Sequence, residues 1–225
     1  MTATTTGHPR PDWLFGDGAT RTEKGLAYTV AAVGCAAFVA GGQGLGWSWW
    51  QWAVGVALVW DLVGGVVANG LDSAKRFYHS PLPGPAGPGA RLMHHPVGFT
   101  ATHLQPVLAG LVFPGGPWWW GLLWYGWALL GAVVVHRLSR RLQRPAAFAV
   151  VAAGVMVAPL VTAPPGMAWL PAVLLLKLVL AHAVPEHLGA ATVHGDPIAH
   201  GDPATVHGDP TAHGDPAADG RTPAG

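Results

Sequence analysis

The sequence predicts an all-α protein, a polytopic transmembrane helix bundle of about six spans followed by a disordered C-terminal tail. Three observations carry that expectation. Apolar residues make up 51% of the 225 and charged residues only 10%, whereas a soluble domain carries about 25% charged residues. The apolar residues fall into six long runs separated by short polar or Gly/Pro-rich joints. Lysine and arginine, counted joint by joint, all fall on one side of a six-span arrangement, as the positive-inside rule requires.

The runs cover residues 26–41, 47–70, 97–113, 118–136, 145–163 and 167–184, each of 16 to 24 residues. A helix rising about 1.5 Å per residue needs roughly 17 to 25 residues to cross the hydrocarbon core. A polar, cytoplasmic segment, 1–25, precedes the first run. That run also reads as the apolar region of a signal peptide, with Ala40 and Gly41 at a cleavage-like end; the 25-residue polar leader favours a span. The first and third runs are short enough to be tilted, extended by their flanks or partly re-entrant. His103, Gln105 and Pro106 make the third the most polar.

Arg10, Arg21 and Lys24 precede run one; Lys75, Arg76 and Arg91 lie between runs two and three; Arg137, Arg140, Arg141 and Arg144 lie between runs four and five. The joints around Gln43, Gly115 and Pro165 have no lysine or arginine. Six crossings thus place every loop cation on the cytoplasmic side of the cell membrane, with both termini inside. Losing or gaining a span would scatter the cations across both faces. Several of the twelve tryptophans cluster at run ends (Trp47, Trp49, Trp50, Trp52; Trp118, Trp119, Trp120), the pattern of an interfacial aromatic belt. Cys35, the one cysteine, lies inside an apolar run and reads as a small buried thiol. A net charge of +1 offers no basic stripe, so no nucleic-acid partner is expected. The expected partner is the lipid bilayer, and the oligomeric state is open.

Residues 189–225 are a different material. His-Gly-Asp-Pro recurs from His194, His200, His207 and His213 in a background of Ala, Thr and Pro. Such a segment cannot bury enough apolar surface to order itself, and its histidines bind divalent metal loosely at most.

The chemistry-bearing residues form two sets. Asp61, His103 and Lys177 lie roughly 13, 9 and 10 Å from the inner ends of their runs. The three share one layer, and a charge at that depth costs at least about 2.5 kcal/mol without a partner or wet cavity. Asp61 with Lys177 is the expected pair. Nearer the cytoplasmic face, Asp61, Gly65, Ala68, Asp72, Lys75 and His79 step by threes and fours, so a continuing helix would align them on one stripe. The segment 81–89, PLPGPAGPG, interrupts regular structure before His94 and His95. His136 ends run four, and His182 lies near the inner end of run six. Pro185 is expected to break that helix, leaving Glu186 and His187 in a surface turn. Neutral imidazole and carboxylate are the usual ligands of zinc and iron. The candidate metal ligands are therefore His79, His94, His95, His182, Glu186 and His187, with Asp72 as the catalytic proton acceptor or ligand-orienting group.

The stretch WDLVGGVVANGLDSAKRFYHSP (60–81), with HHPVGFTATHLQP and AHAVPEH, resembles a bacterial multi-pass integral membrane protein family to which no activity attaches; the resemblance covers about 26–188. A partial similarity runs to the histidine-rich membrane di-iron hydroxylases and desaturases, whose histidines sit in cytoplasmic loops beside the spans. That resemblance implies iron. The sequence departs from that pattern: His182 and His187 are separated by four residues, His94 and His95 form an isolated doublet, and the third histidine box is missing.

Three functions remain open at this level. One is a metal-dependent membrane enzyme, with iron or zinc, acting on a lipid or other apolar substrate. A second is a small proton-coupled transporter using Asp61, His103 and Lys177. The third is a non-catalytic scaffold or partner subunit whose polar groups only lock helix packing.

Overall fold

The computed structural model describes residues 12–82 and 84–185; the tail repeats, Glu186 and His187 lie outside the described residues. All regular structure among the described residues is helical. The helices are α1 (Arg21–Gly41), α2 (Trp49–Gly70), α3 (Asp72–His79), α4 (Pro88–His94), α5 (Pro96–Ala101), α6 (Gln105–Val112), α7 (Trp120–Arg137), α8 (Arg140–Val157) and α9 (Leu170–Leu175). A 3-10 turn, Ala158–Leu160, extends α8, and a π-helical segment, Leu176–His182, continues α9.

Three helical segments are long and apolar enough to cross a membrane: Arg21–Gly41, Trp49–Gly70 and Arg140–Leu160. At 21 or 22 residues each spans about 32 Å, matching the ~30 Å hydrocarbon core. Reciprocal capping boxes start the first two. Thr20 and Glu23 satisfy each other's backbone N–H groups, and Ser48 is joined to Gln51 in the same way. The hairpin of α1 and α2 closes on small residues. A Cβ on Gly34 would lie 3.0 Å from Val63, and one on Gly64 would lie 3.1 Å from the Ala31 methyl. Gln51 also donates to the Val112 carbonyl at 2.9 Å, fastening α2 to the end of α6.

The later runs depart from uniform spans. Run three is two short helices, α5 and α6, separated at 102–104. Thr100 and Thr102 turn their hydroxyls back onto the Pro96 and Phe99 carbonyls, and Pro106 cannot donate into the preceding turn. Run six is the innermost helix. Leu170, Leu174, Leu175, Leu178 and Val179 are completely buried, and the segment packs on α2, α7 and α8. Its continuous apolar surface reflects burial on every side rather than contact with lipid. The tryptophan clusters also divide: Trp49 and Trp118 are exposed, whereas Trp120 and Trp124 are fully buried core residues, and Trp47 and Trp52 pack around Phe38.

The expected continuous stripe from Asp61 to His79 is broken at Leu71, whose extended backbone (ψ 143°) ends α2 and caps α3. That kink leaves Asp72 exposed in the first turn of α3, while Ser73, Ala74 and Tyr78 face inward.

Candidate functional site

Lys177 lies within the π-helical part of the central helix. Its Nζ donates to Asp61 Oδ1 at 2.8 Å, and Gln105 Nε2 donates to Asp61 Oδ2 at 2.9 Å. The expected pair thus forms with a third member from the start of α6. Space for it comes from Gly65, one turn along α2 from Asp61: a Cβ there would stand 2.4 Å from Lys177 Cε. The two partners differ sharply in environment. The Lys177 side chain is 4% exposed and that of Asp61 is 44% exposed.

Both helices that meet Asp61 depart from α geometry where they do so. A π-turn rotates successive side chains away from the α register, and it runs from Leu176 through Lys177 to His182. The α5–α6 break leaves buried backbone carbonyls that need partners from the surrounding protein. Here His103 fills that role: its Nδ1 donates to the Phe99 carbonyl at 2.7 Å, and its ring is buried within electrostatic range of Asp61 and Lys177.

From His103 the polar residues continue towards the C-terminal end of the central helix. Phe99 stands between two imidazoles, 4.5 Å from the His103 ring and stacked on His182 at 3.6 Å with planes 15° apart. His182 is buried, and its Nε2 has no hydrogen-bond partner among the described residues. His79 Nε2 donates to the His182 carbonyl at 2.9 Å, and the Lys75 ammonium donates to the Val184 carbonyl. These two contacts satisfy carbonyls at the end of the central helix, where positive groups are also favoured by the helix dipole. Tyr78 donates to the Trp13 carbonyl and is edge-on to His182. Burial, with the Asp12 charge adding to it, pushes the Tyr78 phenol up to about 12. Burial pushes the His79 imidazole below its ordinary value, against the opposing hydrogen bond to His182. His94 is shifted the same way by burial.

Beyond His79 the column opens into a cavity of about 420 Å³ lined by His79, His94, His136, Arg140 and Gln143. His95 is exposed and turned to His136, with ring centroids 4.7 Å apart. The proposed ligands are therefore partly neighbours. No group of three or more His, Cys, Asp or Glu side chains among the described residues is placed to hold one metal ion. Compared with known proteins, the chain matches no family model, and no curated protein or solved structure is significantly similar to it. Its chemistry has to be read from these residues alone.

Gln105, Gly65 and Phe99 complete the site and were not singled out as site residues in the sequence. Gln105 carried a usable signal, a polar side chain in an apolar run at the depth of Asp61. For Phe99 there was none, since an aromatic beside a span is ordinary.

Proposed function

We propose that the chain is a six-span integral protein of the cell membrane, with both termini cytoplasmic, and that it works as a small proton-coupled transporter. The spans would be α1, α2, the broken α5–α6 pair, α7, α8 with its 3-10 extension, and α9 with its π-helical continuation. In this arrangement Arg21, Lys24, Lys75, Arg76, Arg91, Arg137, Arg140, Arg141 and Arg144 share the cytoplasmic side.

The observation that carries the reading is the Lys177–Asp61 pair, formed where one span is broken and the other adopts a π-turn. Discontinuous helices with ionisable side chains at membrane depth are how transporters build substrate and coupling-ion sites. Asp61 and Lys177 would exchange a proton with His103, and the histidines 182 and 79 would pass it towards the cytoplasmic cavity. A metal-dependent enzyme receives less support, because the described candidate ligands do not converge into a set of three.

The test is solute flux into proteoliposomes under an imposed pH gradient. Accumulation should collapse when the gradient is dissipated, and should be lost in an Asp61→Asn variant that still inserts. Equal flux from an Asp61→Leu/Lys177→Met double variant would overturn the reading and leave the pair a packing element.

A further inference from the structure

The exposed side of Asp61 is the feature that the proton-coupled reading leaves unexplained. Lys177 and Gln105 cover one side of the carboxylate; the other opens into a cavity of about 210 Å³ between α1 and α2, beneath Phe15 of the N-terminal segment. Its walls are aromatic. Tyr28 and Trp60 stack with centroids 5.9 Å apart and planes 26° apart, and Phe15 meets Tyr28 edge-on at 5.4 Å. Gly64 and Gly65 form the floor beside Asp61. Trp60 and Tyr28 are both nearly half exposed, so the cavity opens sideways, towards the acyl chains around a membrane-spanning α1–α2 hairpin. Lys24, one turn before Tyr28 on α1, is paired with Asp12 at 2.7 Å.

A carboxylate among aromatic faces, at a depth where exposed charge is costly, is complementary to one class of molecule. Aromatic rings attract organic cations through their π faces, most strongly when water is excluded. The carboxylate supplies the counter-charge, and the apolar walls accept the alkyl or aryl substituents.

We infer that this cavity binds a lipophilic organic cation, of the quaternary ammonium type, which reaches Asp61 laterally from the inner leaflet and displaces the proton of Lys177. The inference rests on the proton-coupled reading and supplies its substrate class. In the resting site the ammonium of Lys177 balances the Asp61 carboxylate. When the organic cation takes that place, Lys177 releases one proton and becomes a neutral amine; the proton leaves for the aqueous phase, and net charge in the site is unchanged. The groups able to receive or oppose it are few. Asp61 faces Lys177 from α2, His103 from the α5–α6 break, and His182 from its own helix, while the buried faces of α7, α8 and α9 carry no titratable group.

The experiment is calorimetric binding of benzyltrimethylammonium to the full chain in lipid nanodiscs, at several pH values and in buffers of different ionisation enthalpy. This probe has no proton to lose, so any proton released comes from the protein. Binding should tighten about tenfold per pH unit while Lys177 is charged, as one-proton linkage requires, with one proton released per cation bound. Its neutral carbon isostere, neopentylbenzene, should bind at least tenfold more weakly. Asp61→Asn should abolish binding, and Trp60→Leu should weaken it about tenfold. Equal binding of the isostere, or cation binding retained in Asp61→Asn, overturns the cation site. No cation binding alongside Asp61-dependent, gradient-driven flux of another solute overturns the substrate class and leaves the proton-coupled reading standing. Binding without proton release overturns the displacement step and counts against proton coupling itself.

Discussion

The central helix carries a polar region at its middle and another at its C-terminal end, and the two follow different rules. Around Lys177 the charged groups are paired: the ammonium meets a carboxylate, and the carboxylate also receives Gln105. Around His182 the polar residues are more numerous but looser, with Asp72 and His95 exposed and His79, His94 and His136 spread along the wall of a large cavity. Burial accounts for the contrast. An unpaired buried charge costs several kcal/mol, so structure is built around the partner of Lys177. Where side chains are exposed, as those of Asp72 and His95 are, water substitutes for a partner, and density of histidines does not enforce convergence.

The sharpest way to break this contrast is to remove one member of the inner pair. Asp61→Leu leaves the buried Lys177 ammonium without its carboxylate and should destabilise the protein by about 3–5 kcal/mol, with Asp61→Leu/Lys177→Met recovering most of the loss. Thermal unfolding in detergent reads both. If the single variant unfolds no earlier than the parent, the inner region is as loose as the outer one. Gly65→Val comes next. Its branched side chain would occupy the path of Lys177 Cδ and Cε, at a cost of about 1–3 kcal/mol for overpacking and with weaker dependence of stability on Asp61.

The sequence disclosed these two regions unequally, for reasons that lie in particular residues. The Asp61–Lys177 pair was legible because two opposite charges in otherwise apolar runs have little alternative to meeting. Broken geometry was not legible. Run three looked like one short apolar segment, and the interruption depends on Thr100 and Thr102 folding back onto carbonyls and on Pro106, local bonds with little trace in hydropathy. The helical stripe through Asp72 failed because α2 ends at Gly70 and Leu71 turns extended before α3 begins; Gly70 marks the end of the run, but the three-and-four spacing continues past it as if the helix did. The burial of run six was not legible either, because a helix buried on all sides has the same composition as one facing lipid.

A smaller effect separates the regions by pH. His79 and His94 lie outside the three membrane-length helices, and burial holds both imidazoles below their ordinary value near 6.5. The unfolded chain therefore binds more protons than the folded one as pH falls through about 6.5, and stability drops with pH until the lower folded values are passed. Unfolding temperature should fall between pH 7 and 5, and His79→Gln should flatten part of that slope. A slope unchanged in His79→Gln would remove the burial of this imidazole as its cause.

The smallest expected change is at His95, and it tests whether the outer histidines form a site at all. His95 is exposed; its Nδ1 accepts the Gly98 N–H at the start of α5 at 3.3 Å, and its ring approaches His136. Those contacts describe a helix-capping histidine with a solvated neighbour. His95→Asn, which keeps an acceptor at the cap, should alter stability by no more than about 0.5 kcal/mol and leave solute flux at the parent's level. His95→Ala should cost nearer 1 kcal/mol by loss of the cap. A collapse of function in His95→Asn, at unchanged stability, would instead show that the outer histidines act together, and the distinction between a built inner site and a loose outer face would fail.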